Sequence, residues 1–210
     1  MQQLEFENGS NALVVAAHPD DETIWMGGTI ARQRNVRWTI FVLCRKSDPD
    51  RMPKFMRVAK HYGARGIICD LEDEGILNIT QSIPEIQKRI RKELPKATWD
   101  IVFTHGANGE YGHERHKAVH LAVKEMMERG GLRARESFFF SYRLDEHRKI
   151  AVPAFSVKGA DSAGKARFYV ELSNAEWKIK RDVIKKLYGF TKMSFENRSC
   201  ASQETFTKML

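Results

Sequence analysis

Two short stretches carry side chains that could do chemistry together. In the first, the apolar run Ala12-Leu13-Val14-Val15-Ala16-Ala17 ends abruptly in His18-Pro19-Asp20-Asp21-Glu22. One histidine and adjacent carboxylates at the end of a buried strand suit a metal ion that needs ligands and a nearby base. In the second, Thr104-His105 ends another apolar run, and the segment Gly106 to Gly112 reads as a glycine-rich loop leading into His113-Glu114-Arg115-His116. His113 and His116 are three residues apart and share a face if a helix starts there. Two ligands from the first turn and one histidine from this helix would give three protein ligands and an open position for water, the pattern of catalytic zinc. Iron, manganese or cobalt accept similar donors. His120 reads as structural, because three ligands suffice, and His61 and His147 have no partners in view. Glu110 and Glu114 read as exposed charges at a helix entry. The cluster is not His-Glu-x-x-His, since its second histidine comes one residue too early.

The elements around these stretches must bring them together. The first apolar run predicts a fully buried strand. Pro19 removes a backbone donor and holds His18 extended, and Asp20 or Asp21 can cap the helix predicted over 22–34. Gly27-Gly28 inside that helix predicts close packing. Further strands are predicted over 36–44, 66–70, 100–105 and 138–140, with later ones over 149–157 and 167–172. Helices are predicted over 54–62, 83–94 (ending before Pro95), 113–129 and 175–188, the last capped by Asn174. The tail, 191–210, carries no clear pattern. Alternating strands and helices predict βαβ units, a mainly parallel sheet and right-handed crossovers. With strand order 3-2-1-4-5, strands one and four are neighbours across the switch point, where α/β sheets bind ligands. Both of these strands end in histidine, His18 and His105.

Length and composition set the frame. The 210 residues predict one domain, 1–210, and 42% hydrophobic with 30% charged residues describe a globular chain, not a disordered one. The polar N-terminus lacks the regions of a signal peptide, and no apolar run approaches the roughly 20 residues of a membrane span. Cys44, Cys69 and Cys200 are far apart and odd in number, which fits a reduced, cytoplasmic setting. The net charge of +8 favours anionic partners in general. Its densest run, Lys88-Arg89-Ile90-Arg91-Lys92, has apolar partners at helical spacing, so it reads as a solvated helix face and not as a nucleic-acid patch.

Ala17-His18-Pro19-Asp20-Asp21-Glu22, with Thr104-His105 and Tyr111-Gly112-His113-Glu114-Arg115-His116, resembles the PIG-L/LmbE-like family of metal-dependent N-deacetylases. The match covers roughly the first two thirds of the chain. The resemblance implies a Rossmann-like three-layer α/β sandwich. It implies that His18, Asp21 and His116 bind zinc, that Asp20 is the general base, and that His113 stabilises the oxyanion or protonates the leaving amine. Tyr111 would lie near the substrate carbonyl, and Arg51 and Asp73 fall in loops where members contact substrate. Two features depart from the family's pattern. Arg115 stands where many members have an aspartate that tunes the first histidine, and the acidic loop lacks the usual Pro-Asp-Gly. The expected reaction is removal of an acetyl group from an N-acetylglucosamine-type sugar or conjugate, a small-molecule substrate, and the resemblance allows a homo-oligomer. Two competing readings are a metal-dependent hydratase or lyase on the same scaffold and a non-enzymatic Rossmann nucleotide-binding module. Three carboxylates at the first strand-to-helix turn argue against the module, since a phosphate site needs glycines and backbone amides there.

Overall fold

In a computed structural model of the protein, described for residues 1–94, 98–154 and 167–209, strands alternate with helices through the first two thirds of the chain. The order is β1 (Gln2–Gln3), β2 (Asn11–Ala16), α1 (Asp21–Arg32), β3 (Arg37–Cys44), α2 (Arg51–His61), β4 (Arg65–Leu71), α3 (Ile79–Glu93) and β5 (Thr98–Thr104). There follow α4 (Gly109–Gly112), α5 (Glu114–Glu128), β6 (Arg133–Phe140), β7 (Tyr142–Asp145), β8 (Ile150–Pro153) and β9 (Arg167–Glu171). The chain closes with α6 (Asn174–Asp182), a π-helical turn (Val183–Leu187), α7 (Phe195–Ser199) and β10 (Gln203–Lys208). Among the described residues no helix is long and apolar enough to cross a membrane.

The main sheet runs β1-β9-β10-β6-β5-β2-β3-β4. The block β6-β5-β2-β3-β4 is parallel throughout, and β10 is antiparallel to both β6 and β9. The apolar run of β2 is continuous because both of its faces are covered. Ala12, Val14 and Ala16 point into a core shared with Ile24 and Trp25 of α1 and Phe55 and Val58 of α2. Leu13, Val15 and Ala17 point the other way, onto Ile86 and Ile90 of α3 and Val119 and Val123 of α5. A central strand buried between two helical layers loses the polar alternation of a half-exposed one. Register then sets the site. Val15 lies opposite Thr104, so the chain leaves β2 and β5 at the same edge, three residues before His18 and one before His105.

Several boundaries differ from the sequence reading, each for a local reason. Helix α2 begins at Arg51 and not at Lys54, because Asp48 Oδ1 accepts the Asp50 and Arg51 amides and turns the chain early. Helix α3 begins four residues before the predicted 83, at an Asn78–Gln81 capping box. Ser173, with Glu176, caps α6, displacing Asn174 from that role. The fifth strand is longer than 138–140, beginning at Arg133. The strand predicted over 149–157 is the short β8, paired with β7 in a separate hairpin, and its last residues lie outside the described ones, as does Pro95.

The tail supplies β10, which places Glu204 under α1. Met26 (φ −150°) breaks that helix, and the freed amides of Gly28 and Thr29 donate to the Glu204 carboxylate at 2.8 and 2.7 Å. Lys180, also fully buried, pairs with Glu204 at 2.8 Å, so the charge is not left alone. Gly28 packs so closely that a Cβ there would overlap the Leu172 side chain. Gly28→Ala is therefore expected to destabilise the protein by about 1–3 kcal/mol through overpacking. Urea unfolding of the variant, with an unchanged midpoint as the contrary result, checks this.

Candidate active site

The turn after β2 presents one carboxylate, that of Asp20, to the cleft with no capping role. Asp20 takes a left-handed backbone (φ 116°, ψ −27°), a region that costs a non-glycine residue of order 1–3 kcal/mol and persists only where its surroundings enforce it. The enforcement comes from its neighbours. Glu22 Oε2 accepts the Asp20 amide at 3.1 Å, and Asp21 Oδ2 accepts the His18 amide at 2.8 Å. Glu22 is itself held by Thr23 and Tyr188 hydroxyls at 2.6 and 2.7 Å, and burial pushes its pKa up to about 7 despite these bonds. Asp20 occupies the cap position of α1, but its side chain makes no capping bond, contrary to the sequence expectation. That carboxylate faces the cleft, 3.1 Å from Arg51 Nη1.

Asp21 looks inward. Its Oδ1 accepts Trp25 Nε1–H at 3.0 Å and lies 3.4 Å from His116 Nε2, while Oδ2 lies 3.4 Å from His18 Nδ1. One donor atom each from His18, Asp21 and His116 falls within 4.8 Å of the others. Two imidazoles and a carboxylate facing one point fit a borderline transition metal with an open coordination position. The second nitrogen of His116 supports this fit. Its Nδ1–H donates to Glu110 Oε2 at 2.6 Å, which leaves the Nε2 lone pair free to face a metal beside Asp21.

Glu110 corrects the sequence reading. It is fully buried, not an exposed helix-entry charge. The expected glycine-rich loop contains the tight turn α4, in which Gly109 (φ 64°), Glu110 (φ 57°) and Gly112 (φ 102°) all have positive φ. This fold turns the Glu110 side chain inward, where it also accepts His105 Nδ1–H at 2.8 Å and the Gly106 amide at 2.6 Å. His105 in turn accepts the Ala17 amide on Nε2 at 3.0 Å, which fixes the tautomer with its proton on Nδ1. Its ring stacks on that of His116, centroids 3.9 Å apart. The flanking glycines were the available sequence signal for Glu110. None marked Trp25, which reads as an ordinary core residue.

His113 caps α5 and precedes its first residue. Its Nδ1 accepts the Arg115 amide at 3.2 Å, so the proton of the neutral ring sits on Nε2. Burial, with the neighbouring His116 and His18, lowers its pKa to about 4. The carboxylates shape the field around it. Burial disfavours a charge on His18, but its hydrogen bonds to the Asp21 and Asp73 carboxylates outweigh this and raise it to about 10. Burial acts against Asp21 as well, yet the surrounding histidines hold its carboxyl below the usual range. Asp20 is pushed above that range by burial and by the charge of Asp21.

A cavity of about 390 Å³ opens over this cluster. His18, Asp20, Asp21, Asp73, Tyr111 and His113 line it, together with Arg45, Arg51 and the apolar Ile24, Trp25 and Phe195. His116 lies beneath, fully buried. Arg51 sits in the first turn of α2, not in a loop, with its guanidinium 4.7 Å over the Phe190 ring. Asp73 lies in the loop after β4 and reaches His18 Nε2 at 3.1 Å. His120 Nδ1 donates to the His105 carbonyl at 2.9 Å, a structural bond as expected, and His61 and His147 do not line the cavity.

The chain is 27% identical over 146 residues to the N-acetylglucosaminyl-phosphatidylinositol de-N-acetylase of Bos taurus, covering 59% of this chain and 53% of that protein. It is 24% identical over 126 residues to uncharacterized protein L374 of Acanthamoeba polyphaga mimivirus, covering 52% and 55%. The matches thus span about half the length of these curated relatives. Among solved structures, the A40926 pseudoaglycone deacetylase Dbv21 superposes with TM-score 0.67 at 14% identity, over 96% of this chain and 97% of that one. The N,N'-diacetylchitobiose deacetylase of Pyrococcus horikoshii gives 0.64 at 14%, over 95% and 84%. GalB, the 4-carboxy-2-hydroxymuconate hydratase of Pseudomonas putida, gives 0.61 at 15%, over 96% of each chain. These likenesses establish the Rossmann-like sandwich. A sequence model described as PIG-L, GlcNAc-PI de-N-acetylase, matches residues 13–127, more than half of the chain and both histidine-bearing clusters, and the chain therefore belongs to the PIG-L family.

Proposed function

We propose that this protein is a zinc-dependent deacetylase that hydrolyses the N-acetyl group of an N-acetylglucosamine-type amino sugar or conjugate. The observation that carries this reading is the convergence of His18, Asp21 and His116 beneath a cleft into which the carboxylate of Asp20 points. His18, Asp21 and His116 would hold the metal, which when bound polarises the amide carbonyl and lowers the pKa of water. Asp20 takes the proton from the attacking water on its carboxylate and returns it to the departing amine. Arg51 keeps that carboxylate at the cleft wall. His113, with its proton on Nε2, and the Tyr111 hydroxyl donate to the oxygen on which charge develops. Phe195, half-buried at the cavity, offers an apolar surface to the substrate, with Ile24 and Trp25 packed behind the site. The cavity suits one or two sugar units.

The test is a panel of N-acetylated amino sugars incubated with the zinc-loaded protein. Acetate and free amine are expected in equal amounts. Removing the metal with a chelator is expected to abolish the release, and adding zinc to restore it. Release that survives chelation would exclude the metal reading. Hydration of an unsaturated acid with no acetate from any sugar would favour the hydratase reading instead.

A further inference from the structure

We infer that Asp73 is a positioning residue for the ligand His18, and that Arg115, through Glu72, fixes the loop that presents it. The inference rests on the reading that His18, Asp21 and His116 hold the metal. His18 has two ring nitrogens with different surroundings. Nδ1 faces His116 Nε2 and Asp21, at 3.2 and 3.4 Å, whereas Nε2 points away from them to Asp73 Oδ1 at 3.1 Å. A carboxylate that accepts the outer N–H of a ligand histidine sets the tautomer and the ring angle and makes the inner nitrogen more basic. Glu110 holds the same relation to His116, so both histidines carry an outer carboxylate. The other Asp73 oxygen accepts Arg45 Nη2 at 2.8 Å, which limits its freedom to turn toward a substrate hydroxyl.

The loop between β4 and α3 is held from within. The Glu72 carboxylate accepts the amides of Glu74, Ile76 and Leu77, at 3.1, 3.1 and 2.8 Å, and so fixes the turn that carries Asp73. Glu72 is itself bound by Arg115 Nη2 at 2.6 Å. Arg115 is 95% buried in the first turn of α5, where a cation opposes the helix dipole. Its Nη1 donates to Ser82 Oγ on α3, and its Nε, with no hydrogen-bond partner, lies 3.8 Å from Asp73 Oδ1. A buried guanidinium in an unfavourable position, wedged between the acidic loop and two helices, is best accounted for by what it holds together. It also immediately precedes His116. One side chain therefore ties the helix that carries one ligand to the loop that orients the other.

The test measures zinc affinity by competition with a chromogenic chelator, and coordination by the visible spectrum of the cobalt form, on wild type, Asp73→Asn, Asp73→Glu, Arg115→Gln and the Asp73→Asn/Arg115→Gln double variant. Asp73→Asn, a change on a partly exposed loop, is expected to weaken zinc binding about 10–100-fold and to shift the cobalt bands. Arg115→Gln is expected to weaken it in the same direction, with Asp73→Glu recovering part of the loss of the Asn variant. The double variant should lose little more than Asp73→Asn alone, since both changes act through one contact. Wild-type zinc affinity in Asp73→Asn would overturn the inference, and a raised KM beside it would make Asp73 a substrate contact. Unchanged affinity in a folded Arg115→Gln would overturn the role of Arg115. A wild-type protein that binds no zinc at all would instead overturn the metal reading on which the inference rests.

Discussion

Asp20→Ala is expected to bind zinc as the wild type does and to lose about 10²–10⁴-fold in kcat. The two halves of this expectation come from separate features of the turn. Metal retention follows because the Asp20 side chain bonds none of His18, Asp21 or His116, and is not needed to cap α1. The Asp20 amide, which does hold the turn through Glu22, is kept in the variant. The loss of turnover follows because the carboxylates nearest the three ligands are already engaged by stronger partners. Asp21 has its oxygens engaged by Trp25 Nε1 and the His18 amide, and Asp73 is engaged by His18 and Arg45. Stability should change little, since Arg51, about a third exposed, loses only a partly solvated ion pair. The left-handed backbone of residue 20 adds a modest cost for alanine, as it did for aspartate. Zinc content, a thermal melt and single-turnover kinetics together check the expectation. Full activity in a zinc-loaded variant would remove Asp20 from the role of base.

The sequence made the two clusters and their meeting point legible, because that information is local. An apolar run ending in histidine needs only its own residues to be read, and two such runs followed by helices imply neighbouring parallel strands. The Val15–Thr104 register is the three-dimensional form of that inference. What escaped was whatever depends on a side chain crossing to another element. By its sequence Glu110 reads as a surface charge, because an isolated glutamate usually belongs there. Only the positive φ at Gly109, Glu110 and Gly112 turns it under His105 and His116. Arg115 was visible as a departure from the family's pattern, but its partners Glu72 and Ser82 lie 43 and 33 residues away. The tail was opaque for a related reason. The β10 sequence Gln-Glu-Thr-Phe-Thr-Lys has little apolar pattern, because Glu204 is buried to serve the broken α1 and not the strand's own periodicity. Helix starts moved wherever a capping residue preceded the apolar stripe, as Asn78 does before Ile83.

His116→Ala is expected to abolish zinc binding at the site, and with it all metal-dependent deacetylation. Three protein donors are the usual minimum for a catalytic zinc, and two, His18 and Asp21, would remain. The loss should exceed the about 10–100-fold that removal of an outer partner costs. Glu110→Gln supplies that comparison, since it keeps the volume of the side chain but places an amide where two Nδ1–H groups now meet one carboxylate oxygen. Zinc affinity should therefore fall in the order wild type, Glu110→Gln, His116→Ala. The two variants should also differ in stability. In His116→Ala the buried Glu110 keeps His105 and the Gly106 amide as partners, so its charge is not stranded. Glu110→Gln leaves both histidines without their anion in a fully buried site, and should lower the melting temperature of the metal-free protein more than His116→Ala does. Calorimetric zinc titration and thermal melts of the metal-free proteins decide this. Wild-type zinc affinity in a folded His116→Ala would move the metal to another cluster, of which His18, Asp73 and His113 are the remaining cleft-lining candidates.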